Sequence, residues 1–257
     1  AERDRDLVAG LLAAPPAAPG PVFYAPVGGM GALIDALLDV LAARRVAIRT
    51  TWSIDSLSAL DADGVVLATP AWVTADLLRA DVPSAAAALD AISYSSVTLV
   101  TFAFERDAVD RAIDASGFLV PRGEGLLLTA ASWASTKWAH LGEPDDRVVV
   151  RASAGRIDDH RAAQLDDDAL VTRLLADLAT TMAVRGAPIE VRVSRWPRGF
   201  PQYAPGHLAR ITTLEREVQD ALPHVRLAGA AYRGLGVPAC IRSGREAAAA
   251  LVSLPTT

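Results

Sequence analysis

Apolar residues fall at two spacings along the chain, and the alternation between them lays out its elements. Leu33, Leu37, Leu38 and Leu41 recur at helical spacing behind Gly28-Gly29-Met30-Gly31, which predicts an amphipathic helix over 32–43. Residues 166–183 form a stronger helical pattern. Leu170, Leu174, Leu175 and Leu178 make its buried stripe, and Asp166, Asp167 and Asp168 load its start, where they suit the helix dipole. Further helices are expected from Pro70 to about Leu78, over 107–115, over 208–222 ahead of Pro223, and over 241–251. Between them lie β-rich runs at 22–27, 46–50, 52–57, 64–69, 97–104, 117–121, 126–133, 148–154, 190–194 and 225–228. The run 64–69 is apolar after its glycine, as in a parallel strand buried on both faces.

The texture changes along the chain. Residues 1–21 end in an Ala/Pro tract and read as the close of a helical region and a linker. Residues 22–82 alternate strand and helix. Residues 83–195 place strands before a helix, and residues 196–257 return to helix, strand and helix. The order predicts an α/β fold with an α+β insert built on a mixed sheet.

Composition narrows the function. The chain has 257 residues, 51% of them hydrophobic, enough for one large core or two small ones. A net charge of −5 argues against a broad nucleic-acid surface. One cysteine excludes an internal disulfide and fits a reducing, cytoplasmic setting. The opening AERDRDLVAG lacks the basic start and apolar core of a signal peptide, and no run approaches the ~20 apolar residues of a membrane span. Four scattered histidines predict no protein metal site, and G-x-S-x-G is absent.

The chemistry concentrates in residues 227–251, LAGAAYRGLGVPACIRSGREAAAAL. A short apolar strand runs into a loop broken by Gly229, Gly234 and Gly236. Pro238 then suits the first turn of a helix. Gly244, Ala247 and Ala248 give that helix a face of small residues, able to pack close to a sheet or a flat ring. Free N–H groups and a partial positive charge at a helix start hold an anion or an electron-rich carbonyl. These features alone also describe a structural strand–helix turn in other α/β proteins.

The order of Gly229, Tyr232, Gly234, Gly236, Pro238, Cys240, Ile241, Ser243 and Gly244 resembles the C-terminal flavin motif of the porphyrinogen oxidases, within the flavin amine oxidase superfamily. Trp196, Pro201-Gln202-Tyr203 and Gly206-His207 resemble that family's W…PQY…GH segment, and Ser132 to Trp138 its S.KW segment. The resemblance implies FAD as cofactor, in part of a glutathione-reductase-like FAD-binding domain. Residues 22–82 would return the chain to that domain, 83–195 would form the substrate domain, and 196–257 the last FAD segment. It implies cofactor contacts at Ile54, Trp196, Gly229, Gly236, Val237 and Pro238, and substrate contacts at Gly117, Leu119, Lys137 and Arg151. Arg151 and Ile54 sit on generic strands, and Ile54 also reads as a core residue. Trp196 reads as a wall of the flavin ring or as a core tryptophan, Lys137 as a propionate partner or a solvated lysine, and Cys240 as a small packing residue.

The implied activity is oxygen-consuming, peroxide-producing oxidation of a porphyrinogen in haem biosynthesis. The bacterial-type KW segment leans towards coproporphyrinogen III over protoporphyrinogen IX. Gly29-Met30-Gly31 falls short of G-x-G-x-x-G because Ile34 holds the last glycine's place. The pyrophosphate loop is therefore expected on a missing N-terminal half. A peripheral membrane contact is compatible with the family. Two rivals stand beside this reading: another flavin amine oxidase, and a truncated, non-catalytic binding module.

Overall fold

The computed structural model describes residues 24–138, 141 and 147–253. The chain divides into two units, residues 1–48 and 49–257. In the first, the expected helix forms as α1 (Met30–Ala43), with none of its residues buried. Residues 24–27, part of the expected first strand, are irregular, and the linker 1–21 lies outside the described residues.

The second unit builds two cores. Long strands of alternating pattern make the larger one: β2 (Tyr94–Glu105), β3 (Gly117–Leu119), β4 (Leu128–Trp133), β5 (Arg147–Ala154) and β6 (Glu190–Pro201). They form an antiparallel sheet in the order β3-β4-β5-β2-β6. One face carries Val100, Phe102, Phe104, Val148, Val150 and Ala152. Helix α5 (Asp167–Met182) covers it with Leu170, Leu174, Leu178 and Met182. Asp166 caps α5, its side chain accepting from the Ala169 N–H at 2.8 Å. Asp177 faces inward, where its carboxylate accepts the N–H groups of Leu127 and Leu128 at 2.8 and 2.9 Å.

The smaller core gathers around a parallel pair, β1 (Val65–Leu67) and β7 (Val225–Leu227). Against it pack α2 (Ala71–Leu78), α3 (Pro83–Asp90) and α6 (His207–Ala221), through Ala75, Leu78, Leu89, Ile211 and Leu214. Helix α7 (Val237–Val252) buries only Ala247. Thus α3 packs with the α/β elements, and β6 runs unbroken across position 196.

Several expected elements take another form. Residues 46–50 and 52–57 are irregular apart from a single 3-10 turn at Leu57–Ala59. No strand among the described residues offers them a ladder, and a strand without one leaves its polar groups to water. The 64–69 run shortens to three residues, and Val66 is 36% exposed because its side chain leaves the sheet on the face opposite Val65 and Leu67. The helix expected over 107–115 is one 3-10 turn, Arg106–Ala108. Val109 instead bridges to Val184. Helix α4 (Ala134–Lys137) is a single turn not foreseen from periodicity. No helix among the described residues is long and apolar enough to cross a membrane.

Candidate functional site

The sheet face opposite α5 is open, and register decides what it shows. Residues directly opposite in antiparallel strands share a face. One row across the sheet reads Leu119, Ala130, Ser153, Leu99 and Ser194, and the next reads Gly117, Ser132, Arg151, Thr101 and Arg192. Most of these side chains are small, so the face is flat enough for a planar ligand. A cleft of about 980 Å³ lies over the first row, walled by Val97, Leu99, Leu119, Trp196 and Phe200.

Trp196 reaches this cleft by ordinary alternation from Ser194, and the strand becomes irregular just beyond it. Trp196 pairs with Val97, whereas Phe200 pairs with Ser95, so β6 bulges over 197–199. Arg198 takes a left-handed backbone (φ 48) and donates its N–H to the Ser96 hydroxyl at 3.0 Å. Its guanidinium lies 4.2 Å from the centre of the Trp72 ring. Trp196 itself is 58% exposed, so it is a wall of the cleft and not a core tryptophan. Leu119 is 82% exposed at another wall.

The other substrate candidates do not line the cleft; they lie in the next row of the sheet or beside it. Arg151 precedes Ser153 by one strand repeat on the same face. Lys137, on α4, donates its ammonium to the Ser132 hydroxyl at 3.1 Å, and Ser132 is Arg151's partner across the strands. Gly117 shares their row, but strand packing accounts for its glycine: a Cβ there would stand 2.1 Å from the Ala131 carbonyl oxygen.

Beyond the last residues of β6 lies the glycine loop. Gln202 lines the cleft, and its amide donates to the Ser95 hydroxyl at 3.1 Å. The next residue, Tyr203, donates its hydroxyl to the Ala230 carbonyl at 2.5 Å and accepts the Gly234 N–H at 2.9 Å. Its ring stacks on buried His207, centroids 3.9 Å apart, and a His207 ring nitrogen lies 2.9 Å from the Tyr232 carbonyl oxygen. Burial raises the Tyr203 phenol above its ordinary pKa. The sequence marked Gln202, Tyr203 and His207 as a motif without a role. A tyrosine and a histidine four residues apart across a glycine were the only signal that they clamp a distant loop.

Within that loop the glycines divide. Gly234 has φ +150, and a Cβ on it would meet Ala239 Cβ at 2.6 Å. Gly229 is also left-handed, at φ +117. Gly236 caps α7 with an ordinary φ of −72, and the nearest atom to a Cβ there is 3.7 Å away. Nothing in the loop itself demands that glycine. The Val237 and Ala239 N–H groups have no partner inside the helix, and Pro238 has no N–H to leave unpaired. Leu235, Val237 and Ile241 stand exposed around this start. A polar helix end, an open glycine and an apolar rim fit one end of a flat ring with an electron-rich edge. Ile54 is half-buried against the smaller core. The Cys240 sulfur lies 3.8 Å from the Gly234 carbonyl oxygen, consistent with packing. Among the described residues no group of three or more His, Cys, Asp or Glu side chains could hold a metal ion.

Residues 10–252 match the model of the flavin containing amine oxidoreductases. The chain belongs to this family. FAD is the cofactor of the flavin amine oxidoreductases, and the open start of α7 suits its ring. Among relatives, the chain is 38% identical to the coproporphyrinogen III oxidase of Mycobacterium leprae over 248 residues, covering 92% of this chain and 53% of that protein. It is 28% identical to human protoporphyrinogen oxidase over 199 residues, covering 76% and 41%. A crystal structure from Exiguobacterium, of a protein provisionally assigned as a protoporphyrinogen oxidase, superposes with a TM-score of 0.77 at 28% identity, covering 88% of this chain and 51% of that one. The chain thus spans about half the length of the relatives it matches.

Proposed function

We propose that this chain is the C-terminal half of an FAD-dependent, oxygen-consuming porphyrinogen oxidase of haem biosynthesis, acting on coproporphyrinogen III in the cytoplasm. The observation that carries the reading is one of placement. The open sheet face ends, through adjacent Gln202 and Tyr203, at the loop that opens α7. In this reading β1 and β7 belong to a glutathione-reductase-like domain, completed by an N-terminal half that brings the pyrophosphate loop.

When bound, FAD supplies two-electron oxidation, with oxygen as the final acceptor. The chain's own residues then place the macrocycle. The sheet face and Trp196 exclude water from its ring, and Lys137 and Arg151 pair with propionates at one edge. Tyr203 and His207 hold the loop so that the Val237 and Ala239 N–H groups stay free to donate to an electron-rich edge of the ring, which the helix start would stabilise. No general base from this half is needed in this scheme.

The test is steady-state oxygen uptake and peroxide release by the full-length enzyme with each porphyrinogen. Coproporphyrinogen III should give the higher kcat/KM. Lys137→Met should raise KM for it about tenfold, since a charge-assisted hydrogen bond contributes about 1.5 kcal/mol or more, and should leave KM for protoporphyrinogen within twofold. Turnover of protoporphyrinogen alone would transfer the assignment to that substrate. Absence of flavin from the purified full-length protein would end the reading.

A further inference from the structure

The cleft has a second charged end that the family likeness did not point to. After Ser153, β5 leaves the sheet at Gly155, and Arg156 turns into the cleft. Arg122, from the loop after β3, joins it there. Both residues also line a second, polar cavity of about 470 Å³, whose other walls include Asp158, Asp159, His160 and Arg161. Arg161 is committed to Asp159 through two nitrogens at 2.7 and 2.9 Å. Arg156 gives one N–H to the Val120 carbonyl at 2.6 Å, and Arg122 pairs with exposed Asp158. Three arginines against two aspartates leave one positive charge in surplus, on the side where apolar and polar cavities meet.

Arg151 and Arg156 therefore bracket the apolar floor. Arg151 lies one strand repeat before Ser153, and Arg156 lies past the left-handed turn at Gly155 that ends the strand. Lys137 stands with the first, Arg122 with the second. An apolar floor with a cation set at each end is a poor match for a ligand charged along one edge only. Such a ligand leaves one set of cations with water and aspartate as its only partners. We propose that Arg122 and Arg156 form a second carboxylate-binding station, so that the cleft takes a planar apolar ligand carrying carboxylates at two opposite edges. This rests on the porphyrinogen reading and adds to it: charge is read at both ends of the ring. Arg122 can serve because its present partner is an exposed aspartate, and exposed pairs are weak enough to exchange. Guanidinium groups also suit the role by their two-pronged fit to carboxylates.

Equilibrium titration of the full-length holoenzyme with oxidised porphyrins, followed by porphyrin fluorescence, tests this without turnover. Three probes differ in charge: coproporphyrin III with four carboxylates, protoporphyrin IX with two, and octaethylporphyrin with none. Arg122→Gln and Arg156→Gln should each weaken the four-carboxylate probe about tenfold and change the uncharged probe less than twofold. Arg156→Lys should recover part of the loss. Asp158→Asn, which frees Arg122, should tighten the four-carboxylate probe several-fold. Arg122→Gln avoids any loosening caused by the Arg156–Val120 bond, so loss confined to Arg156 variants would overturn the station. Equal weakening of all three probes would do the same by showing a structural effect. If Lys137→Met weakens the four-carboxylate probe and both arginine variants do not, the proposal fails while the porphyrinogen reading stands. If none of the probes binds wild type, that reading fails with it.

Discussion

The two cores of residues 49–257 finish themselves to different degrees. The five-stranded sheet has one face sealed by α5, its register fixed along β2 by partners on both sides, and its buried Asp177 satisfied by two backbone donors. The parallel pair has two strands, each with one edge unpaired among the described residues, and a covering helix, α7, with a single buried residue. Its well-made parts are local: Tyr94 accepting the Ala71 N–H at 2.9 Å, and Tyr232, 1% exposed, reaching the Thr74 hydroxyl at 3.4 Å. The sealed core carries a ligand cleft on its spare face. The unsealed core presents backbone groups at the helix start, where the proposed function would place the cofactor ring. Under the proposed function, stability and ligand binding are split between regions, so each should be open to perturbation alone.

The largest effect should come from the sealed core. Phe102→Ala removes a fully buried ring stacked on Phe104 at 5.8 Å and should cost about 3–5 kcal/mol in urea unfolding. Val66→Ser on the open strand should stay within about 0.5–1 kcal/mol; an equal loss would show that β1 is sealed by something else. Next in size is an alkaline effect confined to the smaller core. Burial pushes the Tyr232 phenol up to about 12 from its ordinary 10. The unfolded chain then releases its proton first, so the stabilisation is whole below pH 10. It fades between pH 10 and 12, by about 2–3 kcal/mol in all. Tyr232→Phe should flatten that limb of the stability–pH curve. Smallest in the bare chain is the contrast between two glycines. Gly234→Ala forces a strained backbone against Ala239 and should destabilise by about 1–3 kcal/mol. Gly236→Ala should be neutral in the 257-residue chain yet lower FAD retention in the full-length enzyme. Destabilisation by both alike would mean that Gly236 serves the loop and not a ligand.

How much was legible follows the same division. Strands β2, β4 and β5 and helix α5 could be read within a few residues because alternation and helical stripe agree with burial. The runs at 46–50 and 52–57 have strand composition and no strand, since composition reports a preference and a ladder needs a neighbour. The cofactor-side residues were nominated by resemblance, and the helix start accounts for Pro238 at its first turn. The clamp of Tyr203 and His207 was beyond pattern reading, because its targets lie 27 and 25 residues away. Arg122 and Arg156 were missed for a related reason. They lie in turns, where periodicity is silent, and only the packing of two loops makes them neighbours of the cleft.

The bulge in β6 has a consequence for how this protein can change length. Two steps along β2, from Ser95 to Val97, are matched by four steps along β6, from Trp196 to Phe200. The surplus is two residues, an even number, so Trp196 and Phe200 emerge on the same side of the sheet. Losing or gaining a pair of residues here leaves every downstream side chain facing as before. A single insertion or deletion would exchange the faces of everything that follows, turning Gln202 away from the cleft and Tyr203 away from its loop. Descendants of this chain should therefore vary between Trp196 and Phe200 in steps of two.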